Sequence, residues 1–235
     1  MSLGIMQPYF FPSGRYFVLM HITDKWVFFD TPQFVRHSWM SRNRILKPGS
    51  GWQYIIIPLV HHHQKTPFNQ IFIDNSRDWK RTIISQFGHY KRIAPNYDRV
   101  INFLEELFQD DYERLSDFNI ASLHRTCDYL GISLDAEVFS KMNLDIGEVR
   151  EPDEWALSIS KAMGIDHYIN ALNGIKFFDR NKYQEQNVAL NFLSYEEKAY
   201  DQHGAGFVPD LSILDIMMFL APEEIMARFN SYDLI

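Results

Sequence analysis

Gly4-Ile5-Met6-Gln7-Pro8-Tyr9-Phe10-Phe11-Pro12-Ser13-Gly14-Arg15-Tyr16-Phe17-Val18-Leu19-Met20-His21-Ile22, followed after Thr23-Asp24 by Lys25-Trp26-Val27-Phe28-Phe29, decides the fold. Gly4 to Gln7 reads as a strand, Pro8 to Gly14 as a loop, Tyr16 to Ile22 as a helix and Lys25 to Phe29 as a second strand. Pro8 and Pro12 fix their own φ and push the residues before them toward extended backbone, so the loop between strand and helix is stiff. Strand, loop, helix, strand is the opening of an α/β fold. In open sheets of that class ligands sit where strands end and helix amides point outward. Gln7 then offers an amide to a ligand, and Tyr9 or Phe10 a ring for a sugar or base. The same aromatics serve equally well as core, with the prolines shaping a turn.

The rest of the chain extends this opening. Apolar and β-branched or aromatic runs at Trp52 to Leu59 and Gln70 to Ile73 suggest a hairpin with a long loop, preceded by a loop rich in Arg, Ser and Pro that reaches Gly51. Tyr97, Val100, Ile101, Leu104, Leu107 and Phe108 recur at helical spacing. Ile120, Leu123, Cys127 and Leu130 make a second stripe, with Ser116 as a cap and Gly131 as a left-handed stop. Pro152 opens a helix closed by Gly164, with Trp155, Ile159, Ala162 and Met163 as its apolar face. A strand at His167 to Ala171, a turn at Asn173-Gly174, a short helix near Phe178 to Gln184, a strand at Val188 to Leu193 and a helix after Pro209-Asp210 complete the pattern. This alternation predicts a mixed, partly parallel sheet with helical crossovers, in one α/β domain over residues 1–235 with a helical segment at about 76–131.

The 235 residues are 46% hydrophobic and 23% charged. Scaled by mass, folding would reduce roughly 40,000 Å² of surface to about 11,000 Å², enough for a core. The net charge of -7 conceals an asymmetry: residues 1–100 hold 13 basic and 5 acidic residues, and residues 101–235 hold 10 and 25. The basic part asks for an anionic partner. It does not ask for nucleic acid, because the whole chain is acidic and the cations are spread rather than gathered into a tract. A lone cysteine, Cys127, on a helical stripe reads as a buried thiol and gives no sign of an oxidising compartment. No basic and apolar leader opens the chain, and Leu211 to Leu220 is too short to span a bilayer and is interrupted by Asp215. The expectation is a soluble, cytoplasmic protein without a transmembrane segment.

A second string carries the cations: Asp30-Thr31-Pro32-Gln33-Phe34-Val35-Arg36-His37-Ser38-Trp39-Met40-Ser41-Arg42-Asn43-Arg44. Arg36, Arg42 and Arg44 offer planar forks for phosphate or carboxylate, and Trp39 offers a face for a ring. A solvated loop with Trp39 in the core is the plainer alternative. Asp30, at a strand end among cations, is the candidate general base. His61-His62-His63 reads as a surface loop, since three adjacent imidazoles cannot face one ion. Ser212 and Asp215 have capping spacing, although a helix start flanked by Pro209 and Asp210 can also face a site. No GxxxxGK[ST], GxGxxG, HExxH or GxSxG string is present, which removes the main support for P-loop kinases, Rossmann dehydrogenases, zincins and α/β-hydrolases.

The Met6-Gln7-Pro8-Tyr9-Phe10-Phe11-Pro12 string, the Asp30/Gln33 pair and the Trp39 to Ile45 run together resemble the WbqC-like proteins. So do Gly164 with Tyr168, Asn173-Gly174, and Phe207-Val208-Pro209-Asp210-Leu211-Ser212-Ile213-Leu214-Asp215. The resemblance covers nearly the whole chain. It departs at two places: the family's pattern puts Gly before the Tyr-Phe pair, where this chain has Arg15, and a second Asp after the first, where it has Thr31. Arg15 either obstructs a ligand that needs close backbone approach or adds a phosphate contact. The family occurs in gene clusters for bacterial O-antigen and other surface polysaccharides. The resemblance therefore implies a transferase acting on a nucleotide-linked or lipid-linked sugar, with acyl or aminoacyl transfer among the candidate reactions. The alternative is a non-catalytic accessory protein that binds a nucleotide sugar or glycan phosphate. Either way the expected ligand is small and phosphorylated, with Asp30 as catalytic base and Gln7, Tyr9, Arg15, Gln33, Arg36, Trp39, Arg42, Asn43 and Arg44 around the substrate.

Overall fold

The computed structural model describes residues 1–204 and 206–235. Strand β1 (Ser2–Met6), helix α1 (Gly14–Ile22) and strand β2 (Lys25–Phe28) form the opening unit. The chain then leaves the sheet through a hairpin of β3 (Arg42–Leu46) and β4 (Trp52–Ile56) and three helices, α2 (Trp79–Gln86), α3 (Tyr97–Gln109) and α4 (Leu115–Leu130). It returns through β5 (Ala136–Val138), α5 (Glu154–Ala162), β6 (His167–Ala171), α6 (Arg180–Glu185) and β7 (Ala189–Ser194). Helices α7 (Ile213–Phe219) and α8 (Pro222–Phe229) and a two-residue strand β8 (Asp233–Leu234) close it.

The main sheet runs in the order β5-β2-β1-β6-β7-β8. Its first five strands are parallel and β8 adds antiparallel to β7. The expected mixed, partly parallel α/β sheet is thus present, and most of its strand pairs are parallel. Strand alternation sorts side chains to two faces. Leu3, Ile5, Val27 and Tyr168 pack with α5 and α6, while Trp26, Phe28 and Ile169 pack with α1, α4 and the C-terminal helices. Gly4 is required between them, since a Cβ there would lie 2.5 Å from the Trp26 ring. The accessible surface is 11978 Å², close to the area expected from mass. Among the described residues no helix is long and apolar enough to cross a membrane.

Several local readings need correction. β1 starts at Ser2 rather than Gly4, and Leu3 is fully buried. The Arg-rich stretch expected as loop contains β3, because Arg42, Arg44 and Leu46 alternate with buried Asn43 and Ile45. β4 pairs with β3, Arg42 facing Ile56 and Leu46 facing Trp52, instead of with Gln70–Ile73. A single bridge, Leu59 to Ile73, is what exists of the expected pairing. Gly49 and Gly51, at φ +91 and +76, make the turn that brings β3 and β4 together. Ser116 lies inside α4, whose N-cap is Arg114, while Gly131 ends it in left-handed geometry as expected. The final helix divides into α7 and α8 where Pro222 starts a new first turn.

Candidate functional site

β1 and β6 are neighbours, yet the chain leaves β1 toward β2 on one side and leaves β6 toward β7 on the other. Divergence of the connections opens a crevice beyond the carboxyl ends of these two strands, where open α/β sheets hold ligands. A cavity of about 490 Å³ occupies that place. Met6 and Asn170 come from the strand ends, Tyr9 and Ser13 from the loop after β1, Trp39 and Arg44 from the hairpin side.

The loop after β1 is held by side chains from distant elements. The Tyr16 hydroxyl donates to the Gln7 carbonyl at 2.9 Å, and Asn119 Nδ2 donates to Pro8 and Met40 carbonyls, both at 2.8 Å. Asn43 Nδ2 donates to the carbonyls of Phe10 and Phe11 at 3.0 and 2.7 Å, and Ser212 Oγ reaches Phe11 at 2.8 Å. Phe11 adopts φ +39, a strained value for a bulky residue, under those bonds. The Phe10 and Phe11 rings are buried core, as one of the two sequence readings had it. Ser13, the N-cap of α1, makes no side-chain cap bond, and its carbonyl accepts from the Tyr16 amide at 3.0 Å.

Charge at the site is organised around Asp210, itself at φ +56. Its carboxylate accepts from Arg15 Nη2 at 2.7 Å and its carbonyl accepts from Arg44 Nη2 at 2.8 Å. One residue thus clasps an arginine from each wall. The Arg44 guanidinium lies between Trp39 and Trp52, 5.3 and 5.2 Å from the ring centroids, and its Nε is buried without a partner. Burial pushes the phenols of Tyr9 and Tyr16 up, so both stay neutral. Tyr9 donates to Gln7 Oε1 at 3.0 Å, which aims the Gln7 amide. Behind the α1 N-terminus, burial also raises the Glu197 carboxyl, whose Oε2 accepts from the Asp210 amide at 3.1 Å.

Of the residues singled out from sequence, the cavity gathers Tyr9, Arg15, Trp39, Asn43 and Arg44, with Gln7 bonded to Tyr9. Gln7 and four others lie outside its lining. Arg42 stacks on Tyr54 at 4.2 Å along the outer hairpin face. Gln33 and Arg36 hold the carbonyls of Gln64 and His62 in the following loop. Asp30 is buried, and both its oxygens accept from Ser140, from the amide at 3.0 Å and from Oγ at 2.6 Å. Asn170, Tyr16 and Phe177 line the cavity without having been singled out. Asn170 carried a readable signal, a polar residue near the carboxyl end of an otherwise apolar parallel strand.

His61 and His63 are exposed. The Cys127 thiol is buried and pushed up to about 12. Ser212 caps α7, accepting from the Leu214 amide at 3.2 Å, but Asp215 does not complete a capping pair. It is fully buried instead and accepts from Tyr90, from Tyr200 at 2.6 Å and from Gln202 at 3.0 Å. Glu151, Asp153 and Glu154 lie close together, and the Lys182 ammonium already bonds all three.

Comparison with known proteins adds a family. A sequence model described as the WbqC-like protein family matches residues 7–227. An uncharacterized protein of Mycobacterium tuberculosis is 24% identical over 233 residues, spanning 94% of this chain and 95% of its own length. No solved structure matches.

Proposed function

This chain belongs to the WbqC-like protein family, and from that premise we propose that it is a cytoplasmic transferase acting on a nucleotide-linked or lipid-linked sugar in bacterial surface-polysaccharide biosynthesis. Acyl and aminoacyl transfer are the candidate reactions. The observation that carries this reading is the cavity at the carboxyl ends of β1 and β6, lined by Arg15 and Arg44, both of which Asp210 holds. In this reading Arg15 takes one phosphoryl group, and Arg44, near the Trp39 and Trp52 rings, takes a second oxyanion. Tyr9 and Trp39 supply faces for a sugar or base. Gln7, Asn170 and Asn173 address hydroxyls.

The sequence expectation gives the base to Asp30. As placed, that carboxylate braces Ser140, and the carboxylate that lines the cavity is Asp210. A phosphate that draws Arg15 away leaves Asp210 free to take the proton of an attacking amine or hydroxyl. The second reading, a binding protein without turnover, is favoured by one fact: Asp210 is paired, Tyr9 and Tyr16 are spent on Gln7, and among the described residues no His or Cys lines the cavity. Incubation with nucleotide sugars and acyl or aminoacyl donors, followed by mass spectrometry, separates the two. Product that disappears in Asp210→Asn supports the transferase, whereas ligand-induced thermal stabilisation without product supports the accessory protein.

A further inference from the structure

Residues 31–73 hold Arg36, Arg42, Arg44, Lys47 and Lys65 and not one Asp or Glu. An even spread of the chain's 30 acidic residues would put about five there. The rest of the chain is therefore more acidic than its net charge of -7 suggests. The same stretch, which is the β3-β4 hairpin with the loops on either side of it, carries six of the thirteen large apolar side chains that stay exposed among the described residues. Cations and bare apolar side chains thus coincide where carboxylates are missing.

The hairpin arranges these groups on one face. Alternation turns Asn43, Ile45 and Ile55 into the core and leaves Arg42, Arg44, Trp52, Tyr54 and Ile56 on the other side. Register sets Arg42 opposite Ile56 and Arg44 opposite Tyr54. Arg42 stacks on Tyr54 at 4.2 Å, and the Tyr54 and Trp52 rings meet at 4.9 Å. Arg44 lies near both Trp52 and Trp39, so the face is continuous from Ile56 to Trp39. Trp39, Trp52 and Ile56 are 41, 40 and 50% exposed. Arg44 bonds the Asp210 carbonyl while the Asp210 carboxylate is on Arg15, and among the described residues neither Arg42 nor Arg44 forms an ion pair.

The mixture of side chains discriminates between anionic partners. Single-stranded nucleic acid would use the rings and the cations but gains little from an exposed isoleucine. A bilayer interface takes all three, with indoles at the headgroup level, aliphatic side chains below it and arginines on lipid phosphates. The missing carboxylates fit the same partner, because an anionic leaflet repels the acidic remainder of the chain and admits this lobe.

We propose that this hairpin face is a peripheral docking surface for an anionic phospholipid bilayer. Trp39 and Arg44 belong both to the face and to the cavity at the ends of β1 and β6, so docking brings that cavity to the headgroup layer. The surface stands whether or not the function assigned to the cavity holds.

The test is co-sedimentation of the whole chain, without added substrate, with vesicles of phosphatidylcholine alone or with about 30% phosphatidylglycerol. Binding to the anionic vesicles is expected to be about tenfold or more above that to the neutral ones and to fall as salt rises. Arg42→Gln should weaken it about fivefold, and Trp52→Ala and Ile56→Ser each about five- to tenfold. Arg81→Gln, which removes an exposed cation on α2, should bind as the wild type does. Either apolar variant suffices, provided that its melting curve matches the wild type. Equal binding to both vesicles or to neither, as large a loss in Arg81→Gln as in Arg42→Gln, or a single-stranded oligothymidine bound in place of the vesicles would each overturn the proposal.

Discussion

The two sides of the cavity are built on opposite principles. On one side, the loop from Gln7 to Pro12 has its carbonyls at Gln7, Pro8, Phe10, Phe11 and Pro12 taken by Tyr16, Asn119, Asn43, Ser212 and the Ile213 amide. On the other, the turn at Leu172–Lys176 and the residue after it are held locally by a Phe177-to-Gly174 bond, and Phe177 is 77% exposed. A wall fixed by bonds from α1, α4, β3 and the start of α7 loses little entropy when a ligand arrives. A wall with few buried contacts can adapt to different ligands. Under the proposed function, a constant phosphate would be recognised by the first wall and a variable sugar or acyl portion by the second.

Breaking the fixed wall should have the largest effect. Asn43→Ala leaves two carbonyls and the Arg44 amide without their side-chain partner, and denaturant unfolding should show a loss of about 2–4 kcal/mol. Asp30→Asn should cost about 1–3 kcal/mol by weakening the hold on Ser140. If turnover at a permissive temperature is abolished while the melting curve is unchanged, Asp30 is the base after all and the division of labour changes. Phe177→Ala, on the adaptable wall, should leave stability within about 0.5 kcal/mol and weaken sugar-nucleotide binding only a few-fold.

The smallest effect sharpens the boundary between α1 and the Asp210 clasp. Burial holds the Glu197 carboxyl above its ordinary range, so its ionisation disfavours the folded state. A raised acid contributes stability at low pH that is lost as pH rises through its folded-state value. Glu197→Gln should therefore gain on the wild type as pH rises through the carboxylate range, and the two should converge in acid. A gap that widens toward low pH would mean that the environment favours the charged form.

What the sequence made legible follows the distance over which each residue acts. The strand-loop-helix-strand opening was readable because its prolines, apolar runs and helix start lie within one short segment. β6 could be read to its exact bounds, His167 to Ala171, for the same reason. The pairing of β3 with β4 was not, because Arg42 and Arg44 look like solvated loop until their alternation with Asn43 and Ile45 is set against a buried partner. Trp39, Arg44 and Arg15 could be named from their chemistry. Their convergence could not, because it depends on Asp210, some 195 positions from Arg15 along the chain. The position of Asp30 at a strand end suggests a reactive carboxylate, and its engagement by Ser140 depends on a contact across 110 positions.

Calorimetric titration of the wild type, Arg15→Gly and Arg44→Gln against a panel of nucleotide sugars and glycan phosphates tests the central claim most directly. At least one compound should bind the wild type saturably, with about tenfold or greater loss in Arg44→Gln and a smaller loss in Arg15→Gly, whose guanidinium is the more exposed. A panel that leaves the wild type silent, or binding that neither substitution alters, would contradict the assignment of this cavity as the phosphate-recognising site.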